Sequence, residues 1–362
     1  MRVVRDYQKF ADYKNKADEK LLPIVTTVVN NILTPEVMNE YKKAFKKFWV
    51  SLLSTIIPGV VFLIIGAIII SVVSNGFIPF FVFLILFIIS ILIGVILGAV
   101  YWRKFYRFRV NLAHVLKQNL NQEALYVESF NILDDEMDYI PTEESTDFKE
   151  AFRHCQVSKK DLHRFTVGIP GGAYISEVKE PKHCLLMKHY PLSLINVHWV
   201  YERRDSKGNL TEEKHYYTGM LKIDTRYLED KAMVFTLMVG KLASGSGLQK
   251  IQMENKEFNK YVAPMINDRF KATMMFTPLS QELMLKRLKD TQGSKIKRFN
   301  VFSTGDFIYL NYNVDFGFMY LNVPLRLKNK EIVINKIYND LLIDTYTLYY
   351  MLSFINIPIY LQ

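Results

Sequence analysis

From Phe48 to Trp102 the chain carries no Asp, Glu, Lys or Arg, a run of 55 residues without a formal charge. Nothing else in the sequence restricts the fold as strongly. A helix rises about 1.5 Å per residue and a bilayer's hydrocarbon core is about 30 Å thick, so roughly 20 apolar residues make one crossing. The run therefore holds two crossings and a short turn. The turn reads SNGFIP, residues 74–79, where Ser, Asn, Gly and Pro interrupt the apolar sequence. Spans are expected at 49–73 and 80–101. A hairpin buried inside a soluble protein has no need of so long an uncharged run.

The flanks set the expected orientation. Lys42, Lys43, Lys46 and Lys47 precede the run, and Arg103, Lys104, Arg107 and Arg109 follow it. Cations resist translocation, so basic flanks mark cytoplasmic ends of spans. The turn carries no charge. The sequence thus reads as a multi-pass protein of the cell membrane with both termini cytoplasmic. Phe45, Phe48 and Trp49 stand level with Tyr101, Trp102, Phe105 and Tyr106 as an aromatic belt at one interface. The formal charge of +10 could point to a nucleic-acid partner. Much of the excess sits at these flanks, however, where anionic headgroups attract a cation by about 1 kcal/mol. Membrane lipids with anionic headgroups are therefore the expected partners, alongside other membrane or cytoplasmic proteins. Nucleic acid is not expected, and a homo-oligomer stays open.

Within the second span, Ser90, Gly94 and Gly98 recur every four residues and share one helical face. GVILG, 94–98, is a small-xxx-small pattern through which a partner backbone approaches closely. Gly59 and Gly66 offer an opposing surface in the first span, although glycine is also simply frequent in membrane helices. Neither span holds an ionisable group, which argues against a proton relay or an ion path. Two helices cannot enclose a pore without oligomerising. The hairpin reads as an anchor.

The rest divides into 1–47, cytoplasmic N-terminal helices; 48–102, the transmembrane hairpin; 103–149, a cytoplasmic helix with an acidic linker; and 150–362, a cytoplasmic α+β domain. Thr34, Pro35 and Glu36 form a helix start, and Pro23 is expected to end an earlier helix. After the second span one helix is expected to continue with a stripe of Phe105, Phe108, Leu112, Val115 and Leu116, completing a helical stalk. Residues 133–148 hold seven acidic residues in sixteen and read as a solvated linker or a helix N-terminus. Beyond 150, DSKGN and STGD punctuate two strand hairpins, and helical segments interleave. Antiparallel hairpins with segregated helices predict an α+β class, an antiparallel sheet plus helices. Residues 345–361 carry no charge, but Pro358 and many polar residues predict a buried or docked helix rather than a third span.

Chemistry is sparse. His154–Cys155 and His183–Cys184 are the most suggestive pairs, yet zinc ligands usually stand two to four residues apart. GIPGGAY, 168–174, and VGKLASGSG, 239–247, match neither dinucleotide nor P-loop spacing. No catalytic residue, cofactor or metal ligand is expected, nor an enzyme. The two cysteines suggest native reporters of orientation, shielded from an impermeant maleimide in intact cells.

Residues 251–288 carry Glu254, then Phe258, then Asp268, then a strand-like run ending in Thr277–Pro278 before a helix. Upstream, YYTGML places Gly219 in an aromatic-x-Gly strand. This pattern resembles the bacterial domain-of-unknown-function family numbered 3137, with Met253–Glu254 where members often have Leu-Glu. The resemblance implies two membrane spans ahead of a cytoplasmic α+β domain, with these residues in structural roles, and it implies no activity. The function expected is a membrane-anchored cytoplasmic binding or scaffold module; the alternative is a lipid-binding or lipid-sensing membrane protein.

Overall fold

A computed structural model describes residues 7–72, 77–134, 136–147, 149–226, 235–238, 248–262 and 264–360. The fold is α+β, with ten helices among the described residues and one antiparallel sheet. The chain opens with α1 (Phe10–Ile32), α2 (Pro35–Val72), α3 (Phe77–Asn119) and α4 (Gln122–Leu133). Then follow β1 (Met137–Ile140), α5 (Lys149–Arg153), α6 (Lys159–Phe165), β2 (Tyr174–Val178), β3 (Lys182–Leu186), β4 (Tyr190–Arg204) and β5 (Leu210–Asp224). The remainder is β6 (Phe235–Met238), β7 (Gln249–Lys250), α7 (Phe258–Tyr261), β8 (Met265–Ile266), α8 (Arg269–Met275), α9 (Pro278–Lys289), β9 (Phe299–Ser303), β10 (Phe307–Asn313) and α10 (Lys330–Tyr360). Two compact units result: Met1–Pro23 with Asn121–Asn322 and Tyr338–Gln362, and Ile24–Leu120 with Val323–Ile337.

The second of these units is helical. α2 begins where Thr34 caps it, with the Val37 amide 3.4 Å from Thr34 Oγ1, and runs unbroken into the first span. α3 starts at Phe77, so the last three residues of the expected turn are already helical. Pro79 falls in the first helical turn, where its missing N–H leaves no bond unmade. Residues 73–76, which hold the rest of that turn, lie outside the described residues. Pro23 does not end α1, contrary to expectation. A stripe of Tyr13, Ala17, Leu21, Val25 and Val29, each fully buried, keeps the helix continuous through it. The helix does continue past the second span, as expected, but not as one piece through residue 130. α3 stops at Asn119, and Asn121 adopts φ 41° and caps α4 through its side chain. The stalk stripe also shifts: Val115 is exposed, and Phe105, Ala113, Leu116 and Leu120 are the buried positions.

The other unit is built on the sheet, ordered β1-β3-β4-β5-β10-β9-β6-β8-β7, with β2 also pairing β4. Both predicted hairpins are present. β4 and β5 pair from Leu192↔Ile223 to Arg204↔Leu210. At their turn Asp205 Oδ1 accepts the amides of Lys207 and Asn209 at 2.8 and 2.9 Å, and Gly208 takes φ 84°. The acidic run is not all linker, as expected: its residues Met137–Ile140 form β1 against β3, with Met137 and Tyr139 buried. Alternation of apolar and acidic residues there outweighs the charge count.

Alternating side chains give the sheet two apolar faces. On one, α6 lays Phe165 over Tyr309 at 4.2 Å, in a cluster with Val197, Trp199 and Met220. On the other, α10 sets Phe354 edge-on to Phe299 at 5.4 Å. Residues 345–357 are thus largely core, as a buried helix requires. α10 also buries Asp344 completely. Its carboxylate pairs with Lys295 Nζ at 2.7 Å and accepts bonds from Tyr126 Oη at 3.2 Å and the Met319 amide at 2.9 Å. Burial pushes its pKa up to about 7, against the opposing pull of Lys295. The folded chain therefore holds this proton to higher pH than the unfolded chain. The associated stabilisation is full below about pH 4 and is lost as pH rises through about 7. The melting temperature is expected to fall between about pH 5 and pH 8, and Asp344→Asn to flatten that slope, as read by thermal unfolding across the range.

Candidate membrane interface

α2 and α3 are each long and apolar enough to cross a membrane, and the apolar window of each is only 11% buried. A core helix of a soluble protein would be mostly covered. Along residues 49–69 and 81–101 the buried positions are Gly59, Gly66, Gly94 and Gly98. The large apolar residues exposed there present surface that water would penalise.

The seam between the helices is made by small residues. A Cβ on Gly94 would collide with Thr55 Oγ1, and one on Gly98 would press on Leu52. Gly59 lies beneath Ser90, whose hydroxyl donates to the Thr55 carbonyl at 2.5 Å. Thr55 itself donates to the Leu52 carbonyl at 2.9 Å. The predicted Ser90, Gly94 and Gly98 face is therefore the packing face, and Gly59 is its counterpart. Nothing in the sequence pattern marks Thr55, whose role appears only once the helices are aligned.

At the level of the basic flanks the aromatic belt closes into one cluster. Phe48 joins the two exposed indoles, 5.5 Å from Trp49 and 5.2 Å from Trp102. Phe105 packs against Tyr41 at 5.2 Å, Phe45 at 5.5 Å and Trp102 at 5.9 Å. Lys42, Lys43, Lys46, Lys47, Arg103, Lys104 and Arg107 are all exposed around it. Beside this belt, between α2 and α3, lies an open groove of about 540 Å³. Lys43, Lys46, Lys47, Ser51 and Ser54 line it with Val50, Leu97 and Tyr101. The lysines and Tyr101 were legible in the sequence; the serines and Leu97 were not.

The other motif residues hold structure. A Cβ on Gly219 would collide with the Tyr312 ring. Phe258 is fully buried, 6.2 Å from Phe276, and Asp268 starts α8 by accepting the Phe270 amide at 2.9 Å. Thr277 caps α9 with Pro278 at its first position. Glu254 is exposed, and it is the neighbouring Asn255 whose side chain accepts the amides of Glu257 and Phe258 at the start of α7.

Neither His-Cys pair converges. His154 is exposed while Cys155 is buried with its thiol 2.9 Å from the Pro191 carbonyl. His183 bonds Ser193 Oγ at 2.8 Å, and Cys184 is buried on the opposite side of β3. Burial pushes the Cys155 thiol up to about 12 and raises that of Cys184 as well. Among the described residues no three His, Cys, Asp or Glu side chains are placed to hold a metal ion. The glycine-rich stretch 239–247 lies outside the described residues. Comparison with known proteins leaves the chain without a match: no family model, curated protein or solved structure matches it.

Overpacking the seam should part the helices. Gly94→Leu is expected to destabilise the full-length chain in detergent by roughly 1–3 kcal/mol. Leu92→Val, on the exposed face, is expected to change it by less than about 0.5 kcal/mol. Thermal unfolding of the two variants in one detergent makes the comparison.

Proposed function

We propose that this chain is a membrane-anchored binding or scaffold module, multi-pass in the cell membrane, with both termini and the sheet-bearing unit cytoplasmic. The observation that carries the reading is the hairpin's inside-out burial. Four glycines fill its interior, and its large apolar side chains, Ile57, Val61, Ile85, Leu92 and Ile96 among them, face outward. Lipid satisfies such a surface and water does not. The basic flanks at Lys42–Lys47 and Arg103–Arg109 support the orientation.

Support for a binding role comes from α8. Phe270 is 75% exposed and Met274, one turn on, is 59% exposed. Adjacent apolar side chains of this kind mark a surface that a partner covers. A lipid-sensing role is the second reading, favoured by the basic groove beside the aromatic belt.

Orientation is tested with introduced thiols, because the native pair is buried and contributes little background. Lys207→Cys, in the exposed β4–β5 turn, is expected to resist an impermeant maleimide in intact cells and to label after permeabilisation. Asn75→Cys is expected to label in intact cells. Labelling of Lys207→Cys without permeabilisation would reverse the orientation. The binding role predicts that gentle purification of the full chain from its own membrane retains a protein partner, which the pair Phe270→Asp and Met274→Asp releases. Retention of that partner by the double variant would remove α8 from the reading.

A further inference from the structure

The groove on the hairpin has a chemistry that the rest of the belt lacks. Lys43, Lys47, Val50 and Ser54 follow one another at intervals of three and four on α2, so they share a helical face with Lys46 and Ser51 beside them. Leu97 and Tyr101, one turn apart on α3, form the facing wall. Polarity is graded along α2: three ammonium groups come first, then two hydroxyls, then the uncharged span. No carboxylate lines the groove. Lys42, Arg103 and Arg107 carry the same charge but do not line the groove.

Ser51 supplies an independent observation. Three neighbouring hydroxyls of the spans are bonded: Ser54 to the Ser51 carbonyl at 3.0 Å, Thr55 to Leu52 and Ser90 to Thr55. Ser51 Oγ is enclosed and has no hydrogen-bond partner. A buried hydroxyl left unbonded is costly. Rotation about χ1 to another staggered well swings the oxygen around Cβ and off its enclosed position. An acceptor in the groove would then remove the penalty.

We propose that the groove binds one phospholipid with an anionic headgroup. Its phosphate lies among Lys43, Lys46 and Lys47, Ser51 donates its hydroxyl proton to a phosphate oxygen, and an acyl chain runs along Val50 and Leu97. Ammonium groups are compact donors well suited to phosphate. Three of them without a carboxylate select against a choline headgroup, which would add a fourth cation to the same site. The inference rests on the anchor reading, because insertion in a bilayer is what brings lipid to the groove.

Native mass spectrometry of the full-length chain in detergent, with phosphatidylglycerol or phosphatidylcholine added, tests it. One phosphatidylglycerol is expected to bind at least about tenfold more tightly than phosphatidylcholine. Joint replacement of Lys43, Lys46 and Lys47 by Gln is expected to remove that preference, and Ser51→Ala to weaken binding a few-fold. Replacing Lys42, Arg103 and Arg107 by Gln is expected to leave it within about twofold. Equal losses in the two multiple variants would reduce the groove to a nonspecific belt and overturn the proposal. So would displacement of the lipid by millimolar inorganic phosphate, which would make this a site for the free ion. An alkaline carbonate wash of native membranes separates the two failures. Extraction of the wild-type chain would sink the anchor reading itself, whereas retention without lipid preference would sink the groove alone.

Discussion

Two apolar helices gain nothing from the hydrophobic effect by meeting each other in lipid, since the acyl chains are as apolar as they are. What holds them is close backbone approach and the few polar bonds it permits. In this hairpin both depend on Gly59, Gly94 and Gly98 standing opposite Ser90, Thr55 and Leu52. The approach lets Ser90 reach the Thr55 carbonyl, a main-chain atom normally hidden behind side chains. Everything outward of the seam is then free to be large and apolar. The aromatic belt follows from the same alignment, because Phe48 can sit between Trp49 and Trp102 only with the helices in this register.

The sheet-bearing unit is held by different physics. Its core is rich in tyrosine, and several of its buried polar groups are tied to one another across long sequence distances. Tyr13 Oη meets Ser129 Oγ at 2.5 Å, and Ser129 meets Thr345 at 2.9 Å. Arg287, fully buried, lies against the rings of Tyr7 and Tyr350 at 4.2 and 4.7 Å and bonds Ser353 at 2.7 Å. Such bonds add little net energy when made but are expensive to break, so they favour one arrangement of α1, α9 and α10 over its competitors.

Local chemistry was legible in the sequence. The charge-free run, the Thr34 and Thr277 helix starts, the DSKGN and STGD turns and the glycine face of the second span all depend on neighbours within a few residues. The misreadings share a cause. Pro23 is tolerated because a five-residue stripe is buried on both sides of it, and the acidic run yields β1 because β3 is there to pair with it. The ends of α3 and α4 are set by Asn121 adopting a left-handed conformation, a choice that asparagine permits but does not announce. The serine floor of the groove needs two helices in register before it exists. Asp344 stands just before the uncharged stretch 345–361, and nothing near it in sequence points to the lysine 49 positions away that pairs with it.

The buried N-terminal segment has a consequence for biosynthesis. The Gln8 amide bonds Tyr349 Oη across 341 positions, and the Phe10 ring packs on Tyr346 at 5.1 Å. A ribosome releases the chain from its N-terminus, at about 5–20 residues per second. Gln8 and Phe10 therefore find these partners only when α10 emerges, after the hairpin between them has left the ribosome. Closure of the sheet-bearing unit is a late event, and a chain truncated before α10 leaves Phe10, Tyr13 and the inner face of the sheet exposed to proteases and chaperones.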